Sequence, residues 1–273
     1  MEAPGKMSSE NPARIRRLIR RGEINQPTPG LAEEYSQANL VILPEEYAFE
    51  FFLFSFRNTK PCPLLDILEA GEVNPPSTPG ADIRTDLPSY RIYRRGELHE
   101  ETDSIKDYWR DDLVSFLLGC SFTFERALKQ AGIPIRHQQE NKNVPMYITD
   151  IDCTPAGEFS GPLVVSMRPM PGRLISRAVR ITSAYPDVHG APVHIGAPKE
   201  IGIQNLNEPD FGDRVTVKPE EYPVFWACGV TPQLAIRKNA LPLVITHSPG
   251  HMFITDIKNE ELSRDQPASG QFV

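Results

Sequence analysis

The segment FWACGVTPQ (225–233) closes a run of buried-strand character with a cysteine, a glycine, a threonine and a proline. In open α/β sheets ligands gather outside the carboxyl ends of strands. A helix starting there offers free N–H groups to an anion. Phe225 and Trp226 read as buried strand, Gly229 as a point of close backbone approach, Thr231 as a helix cap and Pro232 as a first-turn residue. Cys228 is then either a buried structural thiol or a site residue whose thiol pKa falls beside an anion-binding helix end.

LLGCSFTFERAL (117–128) has the same design, with Gly119, Cys120 and Ser121 ahead of a helix. It offers backbone donors, a thiol and a hydroxyl, although a small-residue packing contact explains it equally well. THSPGHMFITD (246–256) places His247 at a strand exit, where imidazole suits proton transfer; a loop histidine bonding a carbonyl is the alternative. The Pro-Gly turn between His247 and His251 breaks the helix that an i, i+4 metal pair needs, and no HExxH glutamate is present, so no metal site is expected. His189 and His194 stand among small residues and prolines in SAYPDVHGAPVHIGAP (183–198), a rigid loop suited either to lie against a ligand or to stay on the surface. Arg57, followed by Asn58, and Arg168 are cations at the ends of apolar segments, where arginine can clamp a carboxylate or simply face solvent. The dinucleotide, P-loop, GxSxG and kinase signatures are absent.

The chain that must position these groups has 273 residues, 40% of them hydrophobic and 24% charged, which is ordinary for a folded globular protein. A formal net charge of −7 gives no general drive toward nucleic acid or anionic lipid. No apolar run approaches the roughly 20 residues that span a bilayer, and the N-terminus lacks an apolar signal core, so a cytoplasmic protein is expected. Asn11-Pro12 reads as a cap and first turn, making the arginine-rich start a surface helix rather than a presequence. Cys62, Cys120, Cys153 and Cys228 lie far apart without a CxxC pair, which suggests free thiols.

Among the elements, ANLVILP (38–44) reads as a buried strand and EEYAFEFFLFSFRN (45–58) as a helix lying inside the molecule. SYRIYRRGELHEE (89–101) reads as a hairpin about Arg95-Gly96, and residues 105–132 as two helices broken at Gly119. YPVFWACGV, TPQLAIRKNALP and LVITHSPG form a βαβ pattern. The expected architecture is α/β, a largely parallel sheet sandwiched by helices, with residues 1–138 and 218–273 forming the main domain and 139–217 an inserted smaller α+β domain.

QANLVILP, KPCPLLD, PGADIRTDLP, WRDDLVSFLLGCSF, RHQQENKNVPMY, VVSMRPMP, ITSAYPDVHGAPVHIG, FWACGVTPQ and ITHSPGHMFITD occur here in one order. Together they resemble the hydro-lyase family that includes D-glutamate cyclase, over roughly residues 11–260. The resemblance implies a two-domain α/β architecture and dehydration of D-glutamate to 5-oxo-D-proline without an organic cofactor. That reaction needs an acid and oxyanion donors, because a carboxylate is a poor electrophile and hydroxide a poor leaving group. On this reading Arg57 or Arg168 binds the α-carboxylate, N–H groups around Cys120, Ser121 and Gly229 hold the γ-carboxyl, and His247 or His194 exchanges protons. Asn58 and Thr231 orient the substrate, and Cys228 is a donor or pocket wall rather than a thioester nucleophile. The partner expected is a small carboxylate, with nucleic acid and membrane set aside and a homo-oligomer left open. The competing classes are a non-catalytic small-carboxylate-binding or regulatory protein and a metal-assisted lyase or hydrolase.

Overall fold

The computed structural model describes residues 7–237 and 240–264. Its elements in chain order are α1 (Pro12–Arg20), β1 (Tyr35–Pro44), α2 (Glu45–Arg57), β2 (Leu64–Leu68), β3 (Tyr90–Arg94), β4 (Glu97–Thr102) and β5 (Leu113–Gly119). There follow α3 (Glu125–Gln130), α4 (Arg136–Gln139), β6 (Met146–Asp152), β7 (Pro162–Pro171), α5 (Gly172–Ser183), β8 (His194–Ile195), β9 (Glu221–Ala227), α6 (Thr231–Arg237), β10 (Val244–His247) and β11 (Phe253–Lys258). Local chemistry explains several starts and stops. The Asn11 side chain accepts from the Ala13 N–H with Pro12 in the first turn of α1. Glu45 and Glu46 lie at the positive end of α2. Arg95 and Gly96 both have positive φ in the two-residue β3–β4 turn, as a tight hairpin requires.

Every strand pairing is antiparallel, which corrects the parallel sheet expected from the sequence. The larger sheet runs β2-β5-β1-β10-β3-β4, with β11 also pairing β1, and the smaller runs β6-β7-β9-β8. β9 and β10, joined through α6, belong to different sheets, so the strand-helix-strand pattern there is no βαβ unit. The error has a physical origin: the central strands β1, β5, β7 and β10 are buried on both faces and so read as largely apolar runs, which is also the signature of a parallel sheet. The smaller sheet draws on residues 146–227.

The same ambiguity hid β5. LVSFLLG is buried at every position between β2 and β1, and a fully buried strand cannot be told from a helix by periodicity. Of the two helices expected across 105–132, broken at Gly119, the first is therefore the strand β5 and only the second is helical, as the short α3. α2 is a helix as expected but does not lie inside: Phe51 and Phe54 are buried while Phe49 and Phe56 are 73% and 67% exposed.

Side-chain alternation sorts the core into layers. Val41, Leu43, Phe116 and Leu118 of the larger sheet meet Val165, Met167, Phe225 and Ala227 of the smaller one, with Phe51 and Phe54 of α2 joining them. Phe51 makes edge contacts to Phe116 (4.8 Å between ring centres) and Phe159 (5.3 Å), an arrangement aromatic rings favour. The far face of the smaller sheet, with Met170, Val224 and Trp226, lies under Phe124, Leu128 of α3 and Leu174 and Ala178 of α5. On that far face the apolar layer is interrupted by charge.

Candidate active site

Alternation along β7 turns Ser166 and Arg168 away from the inter-sheet core and toward Trp226. Arg168 is completely buried. Its Nε donates to Glu125 Oε1 (2.9 Å), Nη1 to Ser166 Oγ (3.1 Å), and Nη2 to Ser121 Oγ (3.0 Å) and again to Glu125. The guanidinium stands 5.4 Å from the Phe124 ring centre and 5.5 Å from that of Trp226, so aromatic faces replace part of its lost hydration. Glu125 opens α3 and also accepts from Gln138 Nε2 (2.6 Å), while His137 Nε2 lies 3.3 Å away without hydrogen-bond geometry. Burial works to raise the pKa of Glu125, but attraction to His137 and Arg168 outweighs it and holds the carboxyl at about 2, ionised at neutral pH. A narrow cleft lined by Glu33, Tyr35, Gln37, Phe122, Glu125 and Gln138 among others runs to this carboxylate.

The two strand exits singled out in the sequence meet at Asn39 of β1. Its Nδ2 donates to the carbonyls of Gly119 (2.7 Å) and Leu118 (3.3 Å), and a Cβ on Gly229 would collide with the same amide group. The close approach foreseen at Gly229 is thus to a side chain of the larger sheet. Thr231 is the first residue of α6 and does not serve as its cap: the hydroxyl accepts from the Val164 N–H (3.0 Å) and donates to the Cys228 carbonyl (2.7 Å), tying the exit to β7. Cys228 packs with Val144, Met146, Val164 and Val230, and this dry setting pushes its thiol up to about 11, with Arg168 only partly opposing. Of the two readings of Cys228, the buried thiol therefore fits this setting, and the thiol with a lowered pKa does not. Cys120 is pushed up further by burial.

The predicted histidines separate. His194 lies against Phe225, which faces the inter-sheet core, so it stands across the smaller sheet from Arg168 and Trp226, with Nε2 donating to the Ala197 carbonyl (2.8 Å). His247 is buried where β10 leaves β1 and β11 takes over, and there the Leu40 N–H donates to its Nδ1 (3.1 Å) in place of a ladder bond. Burial lowers its pKa to about 4. His189 is buried beside the β5 exit, where Gly119 lets the Asp187 carbonyl and Val188 come so close that a Cβ would collide with them. Burial, reinforced by the charges of Arg168 and Lys60, lowers its pKa to about 4 against the pull of the Lys60 carbonyl and, more weakly, of the Gly119 backbone. Arg57 is exposed and donates to the Pro155 carbonyl, and Asn58 joins the end of α2 to the backbone of Thr154.

Of the predicted groups the structure therefore gathers Cys120, Ser121, Arg168, Cys228 and Gly229, and leaves Arg57, Asn58 and His194 elsewhere. Sequence reasoning passed over Asn39, Lys60, Glu125, His137 and Ser166. Each sits inside a stretch already conspicuous, and Asn39, Glu125 and Ser166 are polar interruptions of apolar runs, the signal that could have found them.

This pairing of a buried ion cluster with neutral imidazole at converging strand exits is the kind of site an α/β enzyme uses for proton-coupled chemistry on a small polar substrate. The sequence pattern that defines D-glutamate cyclases matches residues 114–256, which include nearly all of β5, Glu125, Arg168, His189 and both strand exits. A protein of Thermoanaerobacter sp. (strain X514), named "Putative hydro-lyase", is 59% identical over 95% of this chain and 99% of its own. Relatives under the same description from Bacillus velezensis (60% identical, 94% and 98% covered) and Bacillus subtilis (58%, 92% and 98%; YcsI) are similar throughout. The chain belongs to the D-glutamate cyclase family, and it is a carbon–oxygen lyase of the hydro-lyase class. Among the described residues no helix is long and apolar enough to cross a membrane.

Proposed function

We propose that this enzyme dehydrates D-glutamate, or a closely related small amino acid with a second carboxylate, to the five-membered lactam 5-oxo-D-proline. One observation carries the reading: a fully buried cation, Arg168, shares a water-poor site with an ionised carboxylate, Glu125, and the hydroxyls of Ser121 and Ser166. A substrate with two carboxylates and one ammonium matches that set, with Arg168 and the half-buried Lys60 attracting the carboxylates and Glu125 the ammonium. Nucleophile and electrophile belong to one molecule, so holding the chain folded supplies the proximity contribution.

The stoichiometry sets a requirement. The nitrogen bonds to the γ-carbon and gives up two protons from its ammonium form, while one γ-oxygen leaves as water having gained two. The reaction therefore consumes no net acid or base and calls for a carrier that moves protons from nitrogen to oxygen. Dry surroundings oppose the return of water to the product. All four cysteines are buried and free, which suits a reducing compartment, and we place the reaction in the cytoplasm.

The test is proton NMR of the purified protein incubated with D-glutamate and, separately, L-glutamate, each with and without chelator. Lactam from the D-enantiomer alone is the expected result. No lactam from either would overturn the substrate while leaving the family assignment in place.

A further inference from the structure

His189 combines features that a packing histidine does not need. Its Nδ1 lies 2.7 Å from the Lys60 carbonyl oxygen. A carbonyl can only accept, so Nδ1 carries the hydrogen and, in the neutral ring, Nε2 carries the lone pair. That Nε2 is buried and has no hydrogen-bond partner, which is costly for a polar atom. The backbone at His189 is left-handed, with φ 83° and ψ −14°, a conformation that non-glycine residues hold only when their surroundings impose it. The turn that carries it is packed tightly just ahead of His189, since only a residue without a side chain at 119 lets the Asp187 carbonyl and Val188 press onto the β5 exit. The positive charges of Arg168 and Lys60 both bear on the ring.

We propose that His189 is the proton carrier of the reaction: Nε2 takes one proton from the substrate ammonium to free the nitrogen lone pair and a second as the N–C bond forms, and delivers each to the oxygen that leaves. The inference rests on the lactam-forming reading above. The nitrogen lone pair makes the new bond to the γ-carbon, and the electron pair of the broken C–O bond departs with oxygen. The ring makes the trip twice for each lactam and is neutral again after each, so protons balance and nothing is oxidised or reduced. The Lys60 carbonyl fixes the tautomer and stabilises the imidazolium between the two halves of each trip. The cations hold the ring neutral until a substrate arrives whose carboxylates offset them. The neighbouring groups are less suited. Glu125, which attracts the ammonium, is a carboxylate of very low basicity beside Arg168, the Cys120 and Cys228 thiols are disfavoured as thiolates by burial, and the Nδ1 of His247 is already taken by β1.

The test uses the full chain with His189→Gly and His189→Asn, both of which accept a positive φ. Lactam formation from D-glutamate is followed by NMR beside the wild type, with and without added imidazole. Both variants are expected to lose about 10²-fold or more in turnover, to bind D-glutamate still, and in His189→Gly to regain turnover when imidazole fills the vacated space. Wild-type turnover in either variant would overturn the inference. So would loss in both that imidazole leaves unrelieved in His189→Gly, which would make the residue structural. No lactam from the wild type itself would remove the reaction and the carrier together, an outcome read without any variant.

Discussion

His189 and His247 are both buried, both held neutral with pKa lowered to about 4, and both at the margins of the same meeting of strand ends. They differ in what their nitrogens do. His247 faces β1 with Nδ1 and closes a gap in a sheet ladder, while the Gln233 amide donates to its backbone carbonyl (3.1 Å). His189 spends Nδ1 on a loop carbonyl and keeps Nε2 unpartnered. A low pKa therefore separates neither role from the other, and it is the free nitrogen and the forced backbone that do.

Four perturbations sharpen that contrast. The largest effect is expected where the charge beside His189 is upset: Glu125→Ala leaves the buried Arg168 without its carboxylate and should cost about 3–5 kcal/mol, measured by chemical denaturation. A stability near wild type would mean that the pair does not organise this face of the sheet. Second comes pH. Below about 6.5 the unfolded chain protonates its histidines, whereas the folded rings of His189 and His247 refuse the proton down to about 4. Each therefore contributes stability that is full above that window and is withdrawn as pH falls through it, by about 3 kcal/mol apiece at 1.4 kcal/mol per unit. Glu125 adds its share at lower pH, lost as pH falls from about 4.5 toward 2. Melting curves across this range should steepen first in the histidine window, and a flat profile there would break the claim that both rings are neutral.

Third, His247→Ala should cost about 1–3 kcal/mol by stranding the Leu40 N–H, with the turnover of the folded fraction retained. Lost turnover at full occupancy of the folded state would reverse the roles assigned to the two histidines. The smallest effect is expected at Cys228→Ser, which should leave lactam formation near the wild-type rate, because the thiol is held protonated by its dry setting. Abolished turnover in that folded variant would restore a covalent route.

Much of this molecule was legible beforehand, and the parts that were not share a cause. The Asn11-Pro12 start of α1, the Arg95-Gly96 hairpin and α2 follow from local chemistry that sequence states directly. The antiparallel sheets and β5 were hidden because complete burial erases the polar face that distinguishes one kind of element from another. The same holds for the site. Ser121, Cys120, Cys228 and Gly229 stand out as residue types at strand exits and Arg168 as a cation in an apolar segment, but which of these converge is a property of tertiary pairing. Glu125 acquires its role only because β7 brings Arg168 against the start of α3. The tautomer of His189 depends on a carbonyl 129 residues away, which no spacing rule reaches.

The amide of Asn39 has a consequence for how such chains can diverge. It holds the Gly119 carbonyl while its own atoms occupy the space beside Gly229. The two connecting segments that leave β5 and β9 are therefore gauged against one side chain. Neither can gain or lose a residue alone without pushing the other off its mark. Length changes among relatives should accumulate away from 119–121 and 228–230, or appear at both places together.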